Sequence, residues 1–196
     1  MTKIIAIDFD ETIAESFDTI FKYHNYKINN ITISKDEVTN YQIRETPKYK
    51  KLWITIDDCI KIFNDFLEGD DYYIYPDVQW AKAKIQERKN KWYVLKILTA
   101  RPERQRKITE MRVEEHFPNT FDSIVFANHF TEETKSKSEI CKEIWAKIMI
   151  EDNFQYAEDL AKAWITTYLL AKPWNTEYKN TNPLIIKINT RDEIHL

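Results

Sequence analysis

The stretch Lys3-Ile4-Ile5-Ala6-Ile7-Asp8-Phe9-Asp10-Glu11-Thr12 decides how this chain is to be read. Its apolar run has the length of a buried strand, and the run ends on an acid. Asp8 and Asp10 stand two apart, so on an extended backbone both carboxylates point the same way. One can attack an electrophile while the other handles protons. Two such carboxylates repel each other, and a divalent cation is their natural partner. Hard oxygen ligands favour Mg2+, which accepts one or two carboxylates together with phosphate and water.

Working outward, four further strand candidates follow: Tyr93–Leu98, Ser123–Phe126, Ala146–Ile150 and Ile165–Leu170. Segments of helical period lie between the later ones. Pro102 suits the first position of a helix carrying Ile108 and Met111. Ser136 and Glu139 fit a capping box, and Asn153 can cap a helix bearing Ala157, Leu160 and Ala161. Alternating strands and helices predict a parallel sheet with right-handed crossovers. The alternation breaks between about Ile13 and Tyr75, where only helical periodicity is visible. Phe17, Ile20 and Phe21 share one face there, Ser34 and Glu37 fit a second capping box, and Ile56, Ile60, Phe63 and Phe66 share another face. The expected fold is therefore α/β: a Rossmann-like parallel sheet of about five strands flanked by helices, with a small helical cap inserted after the first strand. The core would comprise residues 1–14 and 76–196, and the cap residues 15–75.

Composition narrows the function classes. With 43% hydrophobic and 31% charged residues, the 196-residue chain has a globular balance rather than a disordered one. A net charge of −3 argues against an extended nucleic-acid surface. No apolar run approaches a membrane span, and Met1-Thr2-Lys3 lacks the organisation of a signal peptide. Cys59 and Cys141 are too few for a disulfide framework, so a cytoplasmic, reducing location is expected. Gly69 is the only glycine, which excludes Walker loops and the G-x-G-x-x-G fingerprint, both of which need several.

The polar residues that follow the strands carry the chemistry. Asp8, Thr99 and the pair Glu151-Asp152 each come directly after an apolar run. In an open parallel sheet the carboxyl ends of the strands line one crevice, which is where ligands bind. Each residue alone is most simply a helix cap; their joint occurrence is harder to dismiss. Lys137, in the first turn of its helix, can place an ammonium against a phosphoryl oxygen, and Thr99 can donate a hydroxyl to it.

Asp8-Phe9-Asp10-Glu11-Thr12, Leu98-Thr99-Ala100-Arg101-Pro102, Lys137-Ser138-Glu139-Ile140-Cys141 and Ile150-Glu151-Asp152-Asn153 together resemble the four ordered motifs of the haloacid dehalogenase-like superfamily. Within it, the chain resembles the small phosphatases that include the cytosolic 5′(3′)-deoxyribonucleotidases, a likeness also carried by Lys172-Pro173-Trp174-Asn175. The resemblance implies a Mg2+-dependent phosphomonoesterase working through an aspartyl-phosphate. Asp8 matches the nucleophile and Asp10 the general acid/base. Thr99 and Lys137 match the groups that hold the phosphoryl oxygens, with Arg101 near enough to reach the substrate phosphate. The metal ligands implied are Asp8, the backbone carbonyl of Asp10, Asp152 directly and Glu151 through water. One departure is Glu11, which stands where glycine is commonest in the superfamily.

The resemblance makes the insert a cap that selects a small phosphorylated substrate, with a nucleotide among the candidates. Phe17, Phe21, Tyr23, Tyr41, Tyr49 and Trp53 are then available to stack on a base, though packing within the cap is the plainer expectation for most. His129 lies near the crevice by topology. Trp80, Trp92, Trp145 and Trp164 are expected to pack helices on the sheet. Phosphatases of nucleic-acid 3′ ends or of sugar phosphates, and an idle binding module, remain the alternatives. Oligomeric state is left open.

Overall fold

The computed structural model describes residues 3–28, 34–51, 54–69, 76–78, 81–129, 131–179, 181–189 and 193–194. Trp53, Trp80 and His195 lie outside them. The sheet is parallel throughout, in the order β3-β2-β1-β4-β5-β6. Its strands are β1 (Ile4–Ile7), β2 (Val94–Thr99), β3 (Ser123–Phe126), β4 (Ile148–Glu151), β5 (Thr166–Leu170) and β6 (Ile185–Ile188). The sequence reading anticipated the first five. β6 is the addition, a four-residue edge strand interrupted by Lys187, with two of its residues fully buried.

The chain steps from β1 out to β2 and β3, then crosses to β4 on the other side of β1. That reversal puts the switch point between β1 and β4, at the carboxyl ends that carry Asp8 and Glu151-Asp152. Helices α4 (Ala81–Asn90) and α5 (Arg106–His116) contribute Ala81, Ile85 and Val113 to an apolar layer with Ile5, Ile7, Leu95 and Ile97. Helices α6 (Lys137–Glu143) and α7 (Phe154–Lys162) pack Ile140, Cys141 and Leu160 against Ala6, Leu98 and Met149 in a second layer. The alternation of side chains along each strand feeds the two layers in turn. The α6 capping box of Ser136 with Glu139 forms, and Asn153 accepts from the N–H groups of Gln155 and Tyr156 to cap α7.

Residues 15–75 carry α1 (Phe17–Ile28), α2 (Pro47–Lys50) and α3 (Ile56–Leu67). The Ser34–Glu37 capping box closes only a single 3-10 turn, and Thr55 with Asp58 caps α3 instead. The segment leaves and returns through a two-stranded neck: Glu15 N–H donates to Pro76 O at 2.8 Å and Val78 N–H to Ile13 O at 3.0 Å. Its helices share the core rather than standing apart from it. Ile20, Ile62, Phe66 and Leu67 belong to the same cluster as the sheet residues Ile5 and Ile7.

One expectation is overturned. Trp92, Trp145 and Trp164 do not pack helices on the sheet; they are 88%, 76% and 82% exposed. Each stands just past a helix end with φ of 65°, 61° and 62°. The hydrogen bonds around them are of the Schellman type. After α4, Trp92 N–H donates to Lys89 O and Tyr93 N–H to Arg88 O. After α6, Trp145 donates to Lys142 O and Ala146 to Cys141 O; after α7, Trp164 donates to Ala161 O and Ile165 to Leu160 O. The left-handed residue of such a cap is usually glycine, and its side chain points into solvent. Backbone geometry, not hydrophobicity, places these three rings.

Candidate active site

Asp8 ends β1 at the switch point, its N–H donating to Ile150 O at 2.9 Å. Lys137, from the first turn of α6, reaches across with its ammonium, donating to Asp8 Oδ1 at 2.6 Å and to Glu151 Oε2 at 2.8 Å. The other oxygen of Glu151 accepts from the N–H groups of Asp152 and Asn153 at 3.2 and 3.0 Å. All four side chains are buried. Burial raises the Asp8 carboxyl to about 7; the nearby Lys137 opposes the shift and Glu151 adds to it. Burial, Glu151 and Asp8 likewise push Asp152 well above the carboxylate range. Burial pulls Lys137 down, but Asp8 and Glu151 outweigh it and hold the ammonium above its ordinary value. Lys137 thus serves two of three buried carboxylates, and the third, Asp152, feels the more distant Lys172.

Asp8, Glu151 and Asp152 can each bring one carboxylate oxygen to within 4.8 Å of the others. A hard oxygen donor set with unbalanced negative charge fits Mg2+. Glu151, with both oxygens engaged, is the least available of the three, and Asp8 and Asp152 are the best placed.

Trp174 and Asn175 hold Asp152. Trp174 Nε1 donates to Asp152 Oδ2 at 3.0 Å, and Asn175 Nδ2 donates to the carbonyls of Asp152 and Leu170, each at 2.8 Å. The sequence reading had marked this segment, but not the carboxylate it serves.

Asp10 and Arg101 form a two-pronged pair, with Arg101 Nε on Oδ2 at 2.9 Å and Nη2 on Oδ1 at 2.7 Å. The guanidinium also donates to Thr109 Oγ1 and lies 4.5 Å from the centre of the Phe9 ring. Arg101 was expected to reach a substrate phosphate. It does border the cavity, but its fork is committed to Asp10. Thr99 is fully buried, and its hydroxyl accepts the Arg101 N–H at 3.2 Å.

Glu11 adopts φ 58°, the conformation that glycine would take for free. Its carboxylate is fully buried and accepts the Phe17 N–H, the first of α1, at 2.7 Å. Lys172 at 3.3 Å and Lys35 at 3.6 Å balance its charge. The side chain therefore ties the neck, α1 and the loop after β5 together.

A cavity of about 370 Å3 opens above Asp8, Asp10 and Lys137, between the carboxyl ends of the strands and Phe17, Tyr41, Ile43, Ile60 and Phe63 of the insert. Tyr156 faces it with its ring 4.8 Å from Lys137 Nζ. His129 Nε2 bonds to the Lys135 carbonyl, so Nδ1 is the acceptor for the Tyr156 hydroxyl at 2.6 Å. Burial first and Lys137 second lower the His129 pKa, which favours that neutral tautomer. Tyr41, from the insert, borders the cavity and meets Tyr156 edge to face at 6.0 Å. Sequence reasoning missed Tyr156; an aromatic one turn into a helix gave no signal of its own.

Comparison of the structure with solved ones gives matches that span most of the chain. A predicted phosphatase from Clostridium acetobutylicum shares 16% identity over 87% of this chain and 85% of its own, with a TM-score of 0.63. A haloacid dehalogenase-like hydrolase from Streptococcus pneumoniae shares 14% over 87% and 85%, with a TM-score of 0.61. The chain has the haloacid dehalogenase-like fold. Protein Tyrosine Kinase A of Mycobacterium tuberculosis also matches, with 15% identity over 97% of this chain and 95% of its own and a TM-score of 0.70. No protein-family model and no curated protein matches the sequence. The dehalogenase-like fold explains why the polar groups converge, since its switch point is the place where β1 and β4 end side by side. Among the described residues no helix is long and apolar enough to cross a membrane.

Proposed function

We propose that the protein is a phosphomonoesterase that uses Asp8 as nucleophile and binds Mg2+ at Asp8 and Asp152. The observation that carries this reading is the buried constellation of Asp8, Lys137, Glu151 and Asp152 beneath a cavity that Asp10 also borders. Phosphoryl transfer asks for positioning and charge neutralisation more than for covalent ingenuity. Bound Mg2+ would supply the positive charge that lets a phosphate dianion approach these carboxylates.

Lys137 grips Asp8 Oδ1, which fixes the carboxylate and leaves Oδ2 as the attacking oxygen. The Asp8–phosphorus bond forms as the bond from phosphorus to the ester oxygen breaks. Asp10, once turned from Arg101 and given a proton by solvent, passes that proton to the departing alkoxide, so that an alcohol leaves. Asp10 then takes a proton from water, whose oxygen attacks the aspartyl-phosphate and releases inorganic phosphate. To do so Asp10 must turn from Arg101, which holds it at rest. Glu151 does not react; it keeps Lys137 in place. Residues 15–75 act as the cap that closes this site from water.

Asp8→Asn keeps the volume but removes the nucleophile. It should abolish Mg2+-dependent hydrolysis of p-nitrophenyl phosphate while leaving the far-UV spectrum intact. Wild-type protein mixed with substrate and acid-quenched should carry phosphate on Asp8, seen by peptide mass. Undiminished turnover in Asp8→Asn would remove Asp8 from this role.

A further inference from the structure

We infer that the alcohol released from the phosphate is apolar, an alkyl or aryl body rather than a polyol. The inference rests on the phosphatase reading and names its substrate class. The cavity is floored by Asp8 and Lys137, which suit a phosphoryl group, but its walls are of another kind. Phe17, Ile43, Ile56, Ile60, Phe63 and Leu67 line the side formed by the insert. Phe17 and Phe63 meet edge to face at 5.7 Å, which fixes the inner end of that wall. Ile56 is 43% exposed, whereas Ile62, Phe66 and Leu67 of the same helix are buried. Because it also lines the cavity, a ligand there can cover it.

Most of the polar side chains around the cavity are held by the protein; Gln105 Oε1, the Gln155 amide and the Tyr41 hydroxyl are the groups left over. Arg101 forks Asp10, Gln105 Nε2 donates to Asn64 Oδ1 at 3.0 Å, and Arg104 pairs with Glu68 at 3.0 Å. His129 is bonded at both ring nitrogens, and Asn153 Oδ1 caps α7. A sugar phosphate entering here would shed water from several hydroxyls and meet few groups free to replace it. Each hydroxyl left unpaired weakens binding by roughly tenfold. Each methylene that leaves water for such a wall strengthens it by about fourfold. The site therefore discriminates by what it lacks.

The test uses two readouts. Calorimetry with methyl-, butyl- and hexylphosphonate on Mg2+-loaded protein measures the wall without chemistry. Steady-state kinetics with hexyl phosphate, glucose 6-phosphate and thymidine 5′-monophosphate compare esters that all release a primary alcohol. We expect affinity to climb about fourfold per methylene until the cavity is filled. We also expect kcat/KM for hexyl phosphate to exceed that for glucose 6-phosphate by about a hundredfold, and Ile60→Asn to flatten both trends. A flat phosphonate series, or a preference for the sugar phosphate or the nucleotide, overturns the inference. A rising series with no turnover of any ester keeps the apolar site and overturns the phosphatase reading instead.

Discussion

Replacing Trp92, Trp145 and Trp164 with glycine should make the protein more stable, against the usual rule that removing a large apolar side chain weakens a fold. The three residues sit at φ 65°, 61° and 62°, where an L-residue crowds its Cβ against the following carbonyl. That conformation costs about 1–2 kcal/mol for a residue with a side chain and almost nothing for glycine. The rings are 88%, 76% and 82% exposed, so little packing is lost with them. Glycine returns some of the gain through its freer unfolded state, leaving about 1 kcal/mol per site. In a chain of this length 1 kcal/mol moves Tm by about 2–4 °C. The sites lie on separate helix ends, so the effects should add, and the triple variant should melt about 6–12 °C higher. Differential scanning calorimetry of the single and triple variants measures this directly. Alanine at the same positions is the control, because it removes the ring but keeps the crowding. If the glycine and alanine variants melt together, or if glycine lowers Tm, the argument from backbone strain is wrong.

Glu11→Gly should do the opposite despite the same conformation, φ 58°. It removes a buried carboxylate that serves Phe17 N–H and Lys172, so a loss of about 2–4 kcal/mol is expected in urea titrations, with strain relief offsetting only part of it. Lys137→Met leaves Asp8 and Glu151 without their cation and should cost about 3–5 kcal/mol in metal-free protein, read as a drop in the urea midpoint. Mg2+ at about a hundred times its dissociation constant should stabilise the wild type by about 2.7 kcal/mol in the same assay, and Trp174→Phe, which frees Asp152 Oδ2, should raise the Mg2+ concentration needed. Arg101→Lys cannot reproduce the fork on Asp10; kcat should fall with KM little changed, and equal kcat in mutant and wild type would make the pair incidental.

Much of the site could be read without coordinates because its signals are local. An apolar run that stops on Asp8, Thr99 or Glu151 reports both a buried strand and its end. The capping residues Ser136 and Asn153 likewise carry their meaning within four positions. What escaped reading depends on partners far along the chain. Arg101 lies two residues after Thr99, close enough to suggest a reach to substrate, but its pairing with Asp10, 91 residues away, has no mark in the sequence. Trp174 could be marked as part of a motif, yet the job it does is set by Asp152, 22 residues earlier. β6 was missed because IIKI is short and half exposed at the sheet edge, where burial no longer imposes a continuous apolar run. The exposed tryptophans were misread for a different reason. Composition says that tryptophan is buried, whereas a left-handed residue at a helix end must point outward whatever it is.

Those three helix ends also bear on how the gene is decoded. The chain holds one glycine and six tryptophans, an inversion of ordinary usage. Three of the tryptophans occupy positions whose geometry asks for glycine and whose rings stand mostly in solvent. UGA is a stop in most cells, tryptophan in some and glycine in others. A gene translated under the second assignment, from a cell that uses the third, would show tryptophan at such helix ends. Trp174, packed on Phe17 and bonded to Asp152, is by contrast a position that needs its indole. The codons at 92, 145 and 164, and the intact mass of the protein from its own cells, tell the two cases apart; among the four described tryptophans the backbone already distinguishes the one the fold uses from the three it merely carries.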